Sequence, residues 1–172
     1  INAKMQISVH DKTLDLSTPQ VMGILNVTPD SVYAGSRKQT EQEIAERTNQ
    51  IILEGGKIID VGAFSTGPGS ADVSEEEELL RMRNGLAIVR REQPDALVSI
   101  DTFRPSVARM AVEEFGADII NDISEGRGYY NNTSNENAKV DVDANENEPS
   151  DILLEVARLQ VPYISVSYTH LT

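Results

Sequence analysis

Apolar runs at 21–26, 57–62, 97–101, 118–122 and 161–166 alternate with segments that read as helices, and this order constrains the fold more than any other feature. Short continuous apolar runs fit strands covered on both faces. Between the first two, Thr40-Glu41-Gln42-Glu43 is a capping box that predicts a helix start, with Ile44, Ile51 and Ile52 as the apolar face and Gly55-Gly56 as the stop. Ser74-Glu75-Glu76-Glu77 is a second box; Leu79, Met82, Leu86 and Val89 follow at helical spacing, up to Pro94. Pro105 suits the first turn of a third helix, which Gly116 ends, and Ser150-Asp151 opens a fourth. Repeated strand–helix order predicts a parallel sheet with right-handed crossovers. Residues 5–16, alternating loosely around Asp11-Lys12, read as a hairpin ahead of it. Residues 125–150 are rich in Asn, Glu and Asp and read as an acidic, solvated, flexible insert.

The chain of 172 residues suits one domain. It has no cysteine, which excludes disulfides, thiolate zinc sites and cysteine nucleophiles. No stretch approaches the roughly 20 apolar residues that span a bilayer, and no basic-then-apolar leader is evident. A cytoplasmic protein is the simplest expectation. A formal net charge of −13 repels nucleic acid and anionic membranes, so neither is expected as a partner. An anionic substrate would need local N–H groups, basic side chains or a metal.

Each apolar run ends in polar residues: Asn26, then Asp60 with Ser65-Thr66 beyond it, then Asp101-Thr102, then Asn121-Asp122. One Asn or Asp at a strand end is ordinarily a turn or cap residue. Several in register point instead to the carboxyl-terminal face of a parallel barrel, where such barrels place their sites.

At these residues the sequence resembles dihydropteroate synthase. The resemblance rests on 23–31 (GILNVTPDS), on 55–62 (GGKIIDVG) with Ser65-Thr66 and Pro68-Gly69, on 99–102 (SIDT) and on 119–124 (IINDIS). It implies a partial (β/α)8 TIM barrel of about five strands preceded by the hairpin. It also implies a transferase that joins (7,8-dihydropterin-6-yl)methyl diphosphate to p-aminobenzoate and releases pyrophosphate. On that resemblance Asn26 serves the pyrophosphate and its Mg²⁺, and Asp101, Asn121 and Ile123 hold the pterin. Asp30, Ser31, Ser65, Thr66 and Pro68 lie in loops for p-aminobenzoate and pyrophosphate, with Asn26, Asp30 and Thr66 as the catalytic candidates. The resemblance also suggests a homodimer.

Val32 stands where the family has Phe, and Gly67 where it has Arg, so an aromatic wall and a cation are missing from the two loops. A full barrel needs about 250 residues. The expectation is therefore a carboxyl-terminally incomplete barrel, with 165–172 as a tail foreign to the family. The alternatives are an inactive fragment or pterin-binding module, or the pterin-binding barrel of a methyltransferase, against which the Asn26 to Ser31 run argues. Asp141, Asp143 and Asn145 imitate a calcium loop, but Glu146 replaces its glycine and Ile152 its final Glu. Glu75 to Glu78 read simply as the acidic first turn of a helix.

Overall fold

The computed structural model describes residues 5–28, 34–63, 73–124 and 149–166, without the side chains of 34–39. Strands β1 (Gln6–Val9) and β2 (Lys12–Asp15) form the antiparallel hairpin. His10, in its two-residue turn, takes the left-handed conformation at φ 52°, which few side chains adopt. Five parallel strands follow: β3 (Met22–Asn26), β4 (Ile58–Gly62), β5 (Leu97–Asp101), β6 (Ile119–Asp122) and β7 (Tyr163–Ser165). Helices α1 (Ala34–Leu53), α2 (Glu75–Glu92), α3 (Pro105–Phe115) and α4 (Asp151–Leu159) connect them in turn.

The sheet order β3-β4-β5-β6-β7 is the chain order, with no reversal. A doubly wound sheet would reverse at a switch point. Here each helix packs on the next, α1 on α2, α2 on α3 and α3 on α4. The architecture is a partial (β/α)8 barrel preceded by a hairpin: the element order predicts its parallel sheet, and the family resemblance implies the barrel.

Period-two alternation divides the strands. Leu25, Ile59, Val61, Val98, Ile100 and Ile120 are buried with Met82, Leu86, Val89, Val107 and Ile152 from the helices, and form the main core. On the other, concave face, Ile58 and Ile119 pack with Leu14, while Ile7, Leu16 and Met22 close around them. The hairpin thus plugs the amino-terminal end of the concave face with apolar side chains. Asp118, expected to open the fourth strand, instead precedes β6. There it accepts from Val98 N (2.9 Å) and lies near Arg90 Nη2 (3.5 Å) and Lys12 Nζ (3.6 Å), fastening hairpin to barrel.

One helix boundary differs from expectation. The Thr40 box does not start α1, which begins at Ala34. A Thr-x-x-Glu sequence caps only where the upstream chain leaves the helix, and Arg37, Lys38 and Gln39 all favour helix. The Ser74 box does cap α2: Ser74 Oγ accepts from Glu77 N at 3.2 Å. Fully buried Thr48 fits the apolar stripe of α1 because its hydroxyl donates to Ile44 O at 2.7 Å. Residues 125–148, almost all of the expected insert, lie outside the described residues, as do 167–172. Ser165 pairs with Asp122 in register, and Val166 N donates to Asp122 O at 3.0 Å.

Gly85 sits where α2 crosses the end of β3. A Cβ there would lie 2.5 Å from Val27 Cγ1 and 2.8 Å from Val27 Cβ. Alanine is the better helix former by about 1 kcal/mol, yet the overlap involves a stiff, β-branched and buried neighbour just past the end of β3. Gly85→Ala is therefore expected to lose roughly 1–2 kcal/mol of unfolding free energy in a urea titration. A gain in stability would show that α2 moves freely off β3.

Candidate active site

Strand register sets the site. Asn26, Gly62, Asp101 and Asn121 form one row across β3, β4, β5 and β6. One pleat closer to the hairpin, Ile24, Asp60, Ser99 and Ile119 form the next. Both rows face the concave side. Asn26 is exposed at its strand end, whereas Asp60, Ser99 and Asn121 are buried. Gly62 contributes no side chain between Asn26 and Asp101. A Cβ on it would sit 3.7 Å from Asn26 Oδ1 and 3.5 Å from Asp101 Oδ2, so the glycine leaves open a gap that a side chain would fill.

The polar atoms of these rows are under-satisfied. Asn121 Nδ2 donates to Asp60 Oδ2 at 3.0 Å. Among the described residues, Asp60 Oδ1, Asp101 Oδ1 and Asn121 Oδ1 are buried without a hydrogen-bond partner. Ser99 Oγ lies close enough to Asp60 to ease its charge but is not aligned for a hydrogen bond. Leaving a buried acceptor unpaired costs about 1–3 kcal/mol. Several on one face make it the candidate place for a ligand or water that supplies donors.

The carboxylates repel one another. Burial pushes the Asp101 pKa up to about 7, assisted by the charges of Asp60, Glu78 and Asp122. Burial also raises Asp60, with Ser99 and the Asn121 amide drawing it part of the way back. Asp122 points elsewhere: it accepts from Tyr163 Oη at 2.6 Å and from Ser124 N at 2.7 Å, in a turn around half-buried Ile123. Burial, then the bond to Asp122, pushes the Tyr163 hydroxyl pKa well above its usual value.

Behind Asp101 lies a buried pair that its residue types alone did not reveal. Glu78 is fully buried, accepts from Thr102 Oγ1 at 2.7 Å and pairs with Arg104. The helix reading of Glu75 to Glu78 holds, but Glu78 is also in step with Met82, Leu86 and Val89 on the buried stripe of α2. That spacing, together with an arginine just before Pro105, was the available signal.

The structure brings Asp101 and Asn121 together and sets Asn26 beside them across the Gly62 gap. Asp30, Ser31, Ser65, Thr66 and Pro68, with Val32 and Gly67, lie outside the described residues. A separate cavity of about 780 Å³ between α1 and α2 is lined by Val27, Ile44, Leu80, Gly85 and Ile88, among others. Charged groups on it are already paired, Arg81 with Glu77 at 2.7 Å and Arg91 with Glu41 at 2.6 Å, so it lacks the open acceptors of the concave face.

Fold and acceptor rows define a class: a (β/α)8-type barrel whose strand ends present unpaired oxygens, chemically suited to a ligand rich in N–H donors. Residues 22–151 match the family described as pterin binding enzyme, and the chain belongs to that family. Over 119 residues it is 43% identical to the dihydropteroate synthase of Escherichia coli strain K12, a match covering 69% of this chain and 42% of that one. The structure is similar to that of Xanthomonas albilineans dihydropteroate synthase with 4-aminobenzoic acid, with TM-score 0.72 and 30% identity over 97% of this chain and 54% of that one. It is also similar to the Anaplasma phagocytophilum enzyme with bound 6-hydroxymethylpterin-monophosphate, with TM-score 0.68 and 28% identity over 88% and 50%. The chain therefore spans less than half of the E. coli relative and about half of the two solved ones. The E. coli relative and both related structures are dihydropteroate synthases. No helix among the described residues is long and apolar enough to cross a membrane.

Proposed function

We propose that this chain carries the pterin-binding side of a dihydropteroate synthase, which condenses (7,8-dihydropterin-6-yl)methyl diphosphate with p-aminobenzoate to give dihydropteroate and pyrophosphate. The observation that carries the reading is the set of open buried oxygens, Asp60 Oδ1, Asp101 Oδ1 and Asn121 Oδ1. A pterin edge offers amino and ring N–H donors, and a carboxylate beside an amide satisfies such an edge. Asp101 and Asn121 hold the ring, Asp60 fixes the Asn121 amide so that its oxygen faces the ligand, and Ile123 flanks the β6 end. Ligands of the two related structures, 4-aminobenzoic acid and a hydroxymethylpterin monophosphate, support the substrate classes.

In the reaction the CH₂–O bond to the diphosphate breaks and a bond from CH₂ to the p-aminobenzoate nitrogen forms, with loss of a proton from that nitrogen. The ring shares positive charge as the leaving group departs. Ionised Asp101 favours that charge from a buried position. Asn26, exposed across the Gly62 gap, is placed for the diphosphate end.

Mg²⁺ suits this donor set. Among the described residues no cluster of His, Cys, Asp or Glu could hold a metal alone. Mg²⁺ ordinarily takes few protein ligands, keeps waters and shares substrate phosphates. Asn26 Oδ1, beside the gap that Gly62 leaves, would hold it, and the ion would supply charge neutralisation to the departing pyrophosphate. Asp30, Ser31, Ser65, Thr66 and Pro68 would complete the p-aminobenzoate and pyrophosphate loops, with Asp30 and Thr66 beside Asn26 in the reacting region. A homodimer in the cytoplasm completes the proposal.

Two measurements on the purified chain test it. Calorimetry with 6-hydroxymethylpterin reads the ring site, and pyrophosphate release from both substrates with Mg²⁺ reads the reaction. Saturable pterin binding that Asp101→Ala weakens by about 1–3 kcal/mol is the expected result. Wild-type binding that Asp101→Ala and Asn121→Ala leave unchanged would overturn the ring assignment.

A further inference from the structure

The buried pair behind the site has connections that stability alone does not explain. Thr102 Oγ1 donates to Glu78 Oε1 at 2.7 Å and accepts from Arg104 N at 3.1 Å. Thr102 N donates to Asn121 O at 3.1 Å. Arg104 Nη1 pairs with Glu78 Oε2, Arg104 Nη2 donates to Val73 O at 2.7 Å, and the guanidinium lies 5.3 Å from the centre of the Phe103 ring. One carboxylate from α2 therefore holds the segment that leaves β5 directly after Asp101. Through Thr102 it is linked to the backbone of Asn121 on β6. A buried ion pair is weak evidence of stabilisation, because well-packed apolar residues often do as well. Its geometry, however, restrains two strand ends at once.

We propose that Glu78 is a positioning residue for the ring site: through Thr102 and Arg104 it fixes the ends of β5 and β6, so that Asp101 and Asn121 present their open oxygens at one spacing. This rests on the pterin reading of that face. A hydrogen-bonding site rejects a partner when its supporting groups are loose by an ångström or less. Glu78 also acts by charge. Burial holds the proton on Asp101, and the charges of Asp60 on β4, Glu78 on α2 and Asp122 on β6 add to it. Arg104, just beyond β5, is the cation paired to this group.

Glu78→Gln keeps the volume and an acceptor for Thr102 but removes the charge that holds Arg104. At about pH 8, where Asp101 is ionised, affinity for 6-hydroxymethylpterin is expected to fall roughly tenfold. In the ligand-free protein the Asp101 carboxyl, followed by carbon-13 NMR, is expected to titrate at lower pH, since a neighbouring negative charge is lost. Glu77→Gln, one position away and paired with Arg81, should change neither. A cooperatively folded Glu78→Gln with affinity within about twofold of wild type and an unmoved Asp101 midpoint would overturn the proposal. Failure of the wild type to bind the pterin, with the Asp101 midpoint and the Asn121 amide resonances still displaced in Glu78→Gln, would sink the ring reading and leave the positioning role standing. If Glu78→Gln does not fold, Arg104→Lys, which keeps both charges but gives up the guanidinium fork that joins Glu78 to Val73 O, is read by affinity alone: a roughly tenfold fall is expected, and affinity within about twofold of wild type overturns the proposal.

Discussion

Glu78→Ala is expected to lower the unfolding free energy by about 3–5 kcal/mol, read from urea titration of the far-ultraviolet circular dichroism. Glu78 has no exposed surface and the Arg104 side chain only 11%, so the truncation strands a guanidinium where water hardly reaches. It also removes the acceptor of the Thr102 hydroxyl. Domains of this size hold about 5–15 kcal/mol in all, so the loss is a large share of stability. The cost belongs to the unpaired partner more than to the pair. Glu78→Leu combined with Arg104→Met should therefore recover most of it while leaving the strand ends unrestrained. A loss below about 1 kcal/mol for Glu78→Ala would mean that solvent enters behind Asp101.

That residue also shows where the sequence was legible. Strand and helix order came through because every element carried its own period and punctuation. Gly116 takes φ 62° to end α3, and Pro105 begins it. The partial barrel then followed from strand–helix alternation and the family resemblance. Asp101 and Asn121 were visible because a parallel sheet puts consecutive strand ends side by side. Glu78 was hidden because three neighbouring glutamates satisfy the same helix-start rule, and only three-dimensional packing separates a buried member from solvated ones. Asp60 was seen as a strand end, but its bond to Asn121 spans sixty-one residues and depends on register. The early start of α1 was hidden by a capping sequence that works only at a chain bend.

Asp101→Asn is expected to make the protein bind pterin more weakly and yet be more stable above about pH 7. In the free protein the Asp101 carboxyl titrates at about 7, mainly through burial and secondarily through Asp60, Glu78 and Asp122. The folded chain thus holds this proton more tightly than the unfolded chain, whose group keeps the ordinary value of 3.8. Its contribution to stability is fullest below the unfolded value and is lost as pH rises from about 4 through 7. The loss amounts to about 2–4 kcal/mol once ionisation is complete. Asparagine carries no such charge, so the variant avoids that loss. Binding runs the other way. N–H donors favour the ionised carboxylate, so the association constant should rise with pH by nearly tenfold per unit below about 7 and level off above it. Asp101→Asn should abolish the rise and cost about 1.5–3 kcal/mol at the plateau, the worth of hydrogen bonds to a charged group. Paired titrations of stability and calorimetric affinity between about pH 5 and 8 separate the outcomes. An unchanged slope in the asparagine variant would move the titrating group away from Asp101. Equal loss of stability and affinity would make Asp101 a structural residue. A gain in one with a loss in the other is what a carboxylate held unpaired for its ligand must show.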